Sequence, residues 1–320
     1  MRNTFMDWFG LTAPILQAPI GGSDTPALAA EVGRAGGMGS LAMTWDERGP
    51  GRARVAALNA HGTPYFLNFV LRFGTERLGW YLDSGAKAVT LSWGIDRDAI
   101  ATLKSKGIRV GVQIGSAGGA AKAIAAGADF IIAQGNEAGG PVQSSTPLDF
   151  LLPQVIAACG TTPVVAAGGI STGQAMAKAI RSGAQAVMIG TRFVASTESS
   201  AHLDYKQALV AAQAQDTVYT NCFDIGWPYA MHRVLRNSTI NDWEDAGCPA
   251  APGRPGEDET IMRSAAKGLL RYHNDPPTDD LEGDTLAGCL YAGTGVGAIH
   301  SVLPARAIVE TLWAEAKALL

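Results

Sequence analysis

The feature that most constrains the fold is an eightfold alternation in the first 190 residues. Short apolar runs of strand length occur at Ile15–Ala18, Met38–Ala42, Phe66–Val70, Ala88–Ser92, Arg109–Ile114, Phe130–Ala133, Pro163–Ala167 and Ala186–Ile189. Each is bounded by Gly, Pro, Asn or Ser, as buried strands are. Between them lie Ala-rich helical stretches such as Thr25–Ala35, Asp96–Lys106, Ala117–Ala126 and Thr172–Ser182, several ending at a glycine: Gly36, Gly107, Gly127, Gly183. A glycine accepts the left-handed conformation that closes a helix. Strands joined through helices must run parallel, and each crossover is right-handed. Eight such units predict a closed (β/α)₈ TIM barrel. An open doubly wound sheet is disfavoured, because the turn after the first run, Ala18-Pro19-Ile20-Gly21-Gly22-Ser23, carries no GxGxxG fingerprint.

The alternation stops after the eighth run. Residues 204–288 contain Trp227, Trp243, a Pro/Gly stretch at Pro249–Gly256 and an acidic stretch at Asp279–Asp284. A loop this long without structure is uncommon, so this segment is expected to be a mostly helical cap over the barrel mouth. The expected division is a barrel of residues 1–203 plus 289–320 and a cap of residues 204–288, with a final helix at Pro304–Leu319.

Composition excludes several classes. A net charge of −4 gives no electrostatic footprint for nucleic acid. No apolar window approaches the ~20 residues of a membrane span, and the start of the chain lacks the layout of a secretory signal. The four cysteines, Cys159, Cys222, Cys248 and Cys289, form no CxxC pair and have no zinc-ligand spacing with histidine. No metal is expected, and reduced thiols point to the cytoplasm. The expected partner is a small-molecule substrate, and the expected state is a monomer or homodimer.

Barrel active sites lie at the C-terminal ends of the strands. The residues there are small or amide-bearing: Ala18, Pro19, Ile20 and Gly21; Asn68; Gln113; Gln134; Gly139 and Gly140; Ala167, Gly168 and Gly169; Gly190 and Thr191. Few charges and much exposed backbone suit a large flat ring system. The turns after the seventh and eighth strands, Gly168-Gly169 and Gly190-Thr191, stand where barrels hold phosphate on backbone N–H groups. Asn68 and Gln113 would cost ~1–3 kcal/mol if buried unpaired, so they require a partner, either ring heteroatoms or backbone.

On these residues the chain resembles the nitronate monooxygenase family, also called 2-nitropropane dioxygenase-like flavoproteins. The resemblance runs through Ala18–Gly21, Asn68, Gln113, Ala133–Gly140, Ala167–Ile170, Gly190–Phe193, Glu198–His202 and Tyr291–Gly297. It implies FMN bound non-covalently, with Gly169, Gly190 and Thr191 at the phosphate and Asn68, Gln113 and Gln134 facing the flavin. It also implies a catalytic histidine directly after Gly140, where this chain has Pro141. A proline ring cannot transfer a proton. The substitutes considered are Glu137, after the sixth strand, and His232, in the cap. His202 is expected to share a helix face with Glu198, and His61 and His300 are expected to be structural. The implied reaction is oxidation of alkyl nitronates with O₂. The alternatives are NADH- or NADPH-dependent reduction of enoyl thioesters or quinones, and a non-catalytic flavin-binding protein.

Overall fold

The eight apolar runs are the eight strands of a closed parallel barrel. The computed structural model describes residues 3–320. The barrel strands span Ile15–Gln17, Gly39–Ala42, Tyr65–Val70, Ala88–Ser92, Arg109–Ile114, Phe130–Gln134, Val164–Ala167 and Ala186–Ile189. Each pairs in parallel with the strands before and after it in this order, and the first pairs with the eighth. The ring closes between the first and second strands through a Leu16–Met38 bridge, with Met38 N donating to Ile15 O at 2.9 Å and Gln17 N to Met38 O at 2.9 Å.

Side-chain alternation along the strands builds two apolar layers. Leu16, Met38, Phe66, Phe130, Ile132, Val165 and Met188 pack into the barrel interior. Their neighbours Ile15, Leu41, Leu67, Ile131 and Val187 pack outward under the helices. The N-terminal helix Thr4–Phe9 plugs the lower end, its Phe5 ring 5.1 Å from that of Phe130. Gly111 is needed in this interior, because a Cβ there would lie 2.3 Å from the Phe130 ring.

The helices begin where side-chain caps permit. Thr25 accepts from Leu28 N at 3.0 Å, Asp96 from Ala99 N at 2.9 Å and Thr172 from Ala175 N at 3.1 Å. Each satisfies one otherwise orphaned helix N–H. The last helix, Ala305–Leu319, returns to the barrel and packs against helices Gly173–Arg181 and Pro26–Arg34. Its first turn is capped by Glu198, which accepts from Ala305 N at 2.9 Å. Glu198 therefore shares no helix face with His202, which is itself the N-cap of helix Leu203–Ala211.

The insertion is not mostly helical. It holds two α-helices, Leu203–Ala211 and Ser238–Asp245, and five short strands. Thr217–Thr220 pairs antiparallel with His232–Leu235, and Gly140–Pro141 from the barrel's sixth loop completes that sheet. Thr260–Arg263 pairs with Gly268–Leu270 and with Glu282–Gly283. The physical reason is local: β-branched and aromatic residues such as Thr217-Val218-Tyr219-Thr220 favour strands, and the Pro/Gly stretch breaks helical periodicity. The shared sheet ties the insertion to the barrel mouth, since His232 sits opposite Pro141 in the register. Among the described residues no helix is long and apolar enough to cross a membrane.

Candidate active site

A cavity of about 940 Å³ opens at the C-terminal ends of the strands. Ligand pockets span roughly 300–1,000 Å³, so the volume admits a large cofactor together with a second molecule. Ala18, Pro19, Ile20, Gly21, Asn68, Gln113, Gln134, Gly139, Gly140, Ala167, Gly168, Gly169, Gly190 and Thr191 all line it.

Three backbone turns make the wall on the side of the seventh and eighth strands. Residues 138–140, 168–169 and 293–295 approach so closely that no side chain fits at Gly139, Gly293 or Gly295. A Cβ on Gly139 would lie 2.6 Å from Gly293 N, and one on Gly295 would lie 2.4 Å from Gly169 O. Gly168 and Gly169 have φ of +118° and +67°, a region costly for L side chains. Thr191 joins the wall by accepting from Gly293 N at 3.0 Å. Gly190 differs: its φ is −107°, and a Cβ there would meet only Ala18 Cβ at 3.5 Å and Ile20 Cγ2 at 3.7 Å. Its missing side chain is dispensable for the fold and leaves free volume beside the turn. A cradle of bare backbone with one such vacancy fits a phosphate.

The amides of the middle strands are oriented by the protein. Asn68 donates through Nδ2 to the Thr90 hydroxyl at 3.0 Å and carbonyl at 3.3 Å, which leaves its Oδ1 as an acceptor. Gln113 Nε2 donates to Gln143 Oε1 at 2.8 Å. Gln134 Oε1 accepts from Gln143 N at 2.9 Å and its Nε2 donates to Pro141 O at 3.3 Å. These bonds supply the partners that burial demands and hold each amide in one orientation.

The two residues considered as proton carriers are both outside the cavity lining. Glu137 caps helix Leu148–Cys159: its two carboxylate oxygens accept from Leu148 N at 3.0 and 2.9 Å. The helix has Pro147 at its N-cap, which offers no side-chain acceptor, and Glu137 fills that role. His232 is fully buried, with neither ring nitrogen hydrogen-bonded. Burial pulls its pKa down to about 4, so its ring is neutral through the physiological range. It packs behind the cavity wall, 6.2 Å from the Trp227 ring and 5.6 Å from that of Tyr291.

Other residues line the cavity besides the glycines and amides. Of the five histidines, His273 alone lines the cavity. Its Nδ1 accepts from Asp275 N at 3.0 Å, so in the neutral ring Nε2 carries the proton. Burial lowers its pKa, against the opposing pull of Asp275. Asp24 also lines the cavity; its carboxylate accepts from Ala42 N at 2.5 Å and pairs with Arg54 at 3.0 Å. Burial outweighs that pairing and raises its pKa to about 6. Trp45, Phe73, Trp93 and Trp227 complete the mouth. Asp24, Trp45, Phe73 and Trp93 follow the first four strands and so had legible positions; His273 and Trp227 come from an insertion whose path a local pattern does not reveal.

The nitronate monooxygenase family model matches residues 59–315, which takes in the amides, both glycine turns and the insertion. The chain belongs to the nitronate monooxygenase family. It is 31% identical to a nitronate monooxygenase of Pseudomonas aeruginosa, with 98% of each chain covered. It is 32% identical to a hydroxy-methyl-oxo-octahydroindene-carboxyl-CoA dehydrogenase of Rhodococcus jostii, covering 77% of this chain and 69% of that protein. Among solved structures, FabK of Thermotoga maritima superposes with a TM-score of 0.84 at 29% identity, covering 100% of this chain and 97% of that one. A nitroalkane oxidase of Streptomyces ansochromogenes superposes with a TM-score of 0.80 at 29% identity, covering 98% of each chain. The protein is an oxidoreductase of a flavin-dependent family, and the glycine cradle and fixed amides of this cavity fit a flavin mononucleotide's phosphate and ring.

Proposed function

We propose that the protein binds FMN in this cavity and oxidises nitronates with O₂. The observation that carries the reading is Pro141. It lines the cavity at the point where the family resemblance implies a histidine, and it can neither accept nor donate a proton. A nitronate is already the anion that a base would generate from a nitroalkane, so its oxidation needs no proton abstraction there. Bound FMN would supply the redox couple. The chain's own residues do the rest: the turns at Gly168-Gly169 and Gly190-Thr191 would anchor the phosphate, and Asn68, Gln113 and Gln134 would fix the ring plane. The insertion, joined to the sixth loop through the His232–Pro141 pairing, contributes Trp227, His273 and Asn274 to the cavity lining.

A second reading is an NADH- or NADPH-dependent flavin reductase of enoyl thioesters or quinones. The likeness to FabK across the whole chain favours it. The two readings separate on one experiment. Protein purified yellow, with flavin released by heat and identified as FMN, is mixed with a nitronate in air and, separately, with NADH or NADPH under nitrogen. Nitronate-dependent O₂ consumption without flavin bleaching by the nicotinamides is expected. Rapid anaerobic bleaching with no nitronate turnover would replace the first reading by the second.

A further inference from the structure

Four aromatic rings form one continuous face of the cavity. The Trp227 ring lies 5.9 Å from Trp45, 5.0 Å from Phe73 and 5.1 Å from Trp93, and Trp45 lies 5.3 Å from Phe73. All four line the cavity. Three follow consecutive strands: Trp45 comes after the second strand, Phe73 after the third and Trp93 after the fourth. Trp227 reaches in from the insertion. Strands two to four make an arc of the barrel mouth away from the glycine turns of strands seven and eight, so the wall stands across the cavity from the phosphate cradle.

Three details argue that this wall does more than fill space. Trp45 is 48% exposed. A half-exposed indole at a cavity rim, beside other rings, leaves apolar surface for a ligand to cover. Trp93 holds a φ of +59°, a conformation that costs a bulky residue free energy and clusters at ligand clamps. Finally, the Trp227 Nε1–H is buried without a partner, so this ring is placed for its face and not for a hydrogen bond. Behind it His232 packs edge-on and keeps it in position.

From this geometry we infer that the substrate carries a flat conjugated or aromatic ring, which stacks on the Trp45–Phe73–Trp93–Trp227 wall while its reactive carbon faces the amide-lined centre. A small alkyl nitronate would leave the wall uncovered. The inference rests on the nitronate reading for its reaction, but the binding preference is separate from turnover.

The test compares two nitronates of equal carbon number, those of phenylnitromethane and cyclohexylnitromethane, so that stacking is separated from size. Aromatic pairs gain ~0.5–1.5 kcal/mol beyond buried area, which is roughly a two- to tenfold preference in kcat/KM for the phenyl compound. Trp45→Ala, at the exposed rim, and Trp93→Gly, which suits the positive φ, should each bring the ratio towards unity. A ratio near one in the wild-type holoenzyme, or a preference unchanged in both variants, overturns the inference. If neither compound is turned over, the oxidation reading fails, and dissociation constants from flavin absorbance titrations under nitrogen decide the inference by the same ratio.

Discussion

His232 offers a direct measure of what the insertion does to a titratable group. Its ring is fully buried with both nitrogens unpartnered, and its pKa falls from 6.5 to about 4. In the unfolded chain the imidazole takes up a proton near pH 6.5; in the folded chain it does so only near pH 4. Between these values the unfolded state binds more protons, so stability falls as pH falls. The contribution is intact above pH 6.5 and lost by about pH 4. At ~1.4 kcal/mol per unit, the full loss is about 3 kcal/mol, of which about 2 kcal/mol has gone at pH 5. His232→Leu removes this dependence. It also removes two unsatisfied nitrogens, each costing ~1–3 kcal/mol when buried. Equilibrium urea unfolding of holoenzyme and variant, followed by tryptophan fluorescence at pH 7.5 and 5.0, isolates the effect as a difference. That difference matters because Asp24, raised to about 6, has the opposite sign: its contribution is full below pH 3.8 and lost as pH rises through 6. On acidification wild type should lose about 2 kcal/mol more than His232→Leu. Equal shifts in the two proteins would mean that the imidazole is solvated or hydrogen-bonded in the folded state, with no burial penalty on its charged form.

Two further substitutions test the site. Glu137→Ala should destabilise the fold by about 1–2 kcal/mol, the value of a lost charged helix cap, and leave kcat/KM unchanged; a loss of roughly a hundredfold or more, on the scale of general acid–base catalysis, would return Glu137 to the chemistry. Gly190→Ala adds a methyl with no strain and no contact below 3.5 Å. It should therefore fold normally and bind flavin at least ~10-fold more weakly, by loss of about one charge-assisted hydrogen bond; stoichiometric flavin after dialysis would move the phosphate elsewhere. Gly169 is a poorer probe, because its φ of +67° penalises any side chain before a ligand is considered.

The barrel was legible because its code is local. Strand-length apolar runs, helix caps at Thr25, Asp96 and Thr172, and closing glycines are all set by neighbours a few residues away, and the strand ends fell within about one residue of the predicted runs. The cavity-lining positions were legible for the same reason: in a barrel, the residue after a strand is at the mouth wherever its partners lie. The insertion was not legible to this extent. Its strands are two to four residues long, too short for a period, and one of its sheets is completed by Gly140–Pro141, far upstream of the His232–Leu235 strand it pairs with.

The sequence by itself determined the closed barrel, the placement of fourteen residues around one cavity and the glycine turns suited to a phosphate. Backbone preference and alternation of polarity are properties of short segments, and they act before any tertiary contact forms. Only the tertiary structure decided what the polar candidates do. Glu137 became a helix cap because Leu148 N lies within 3 Å of it, and His232 was sealed behind Trp227 and Tyr291. His273 and Trp227 entered the cavity from the insertion, through contacts between segments far apart in sequence. The protonation and exposure of such groups depend on what surrounds them in space, which no local pattern specifies.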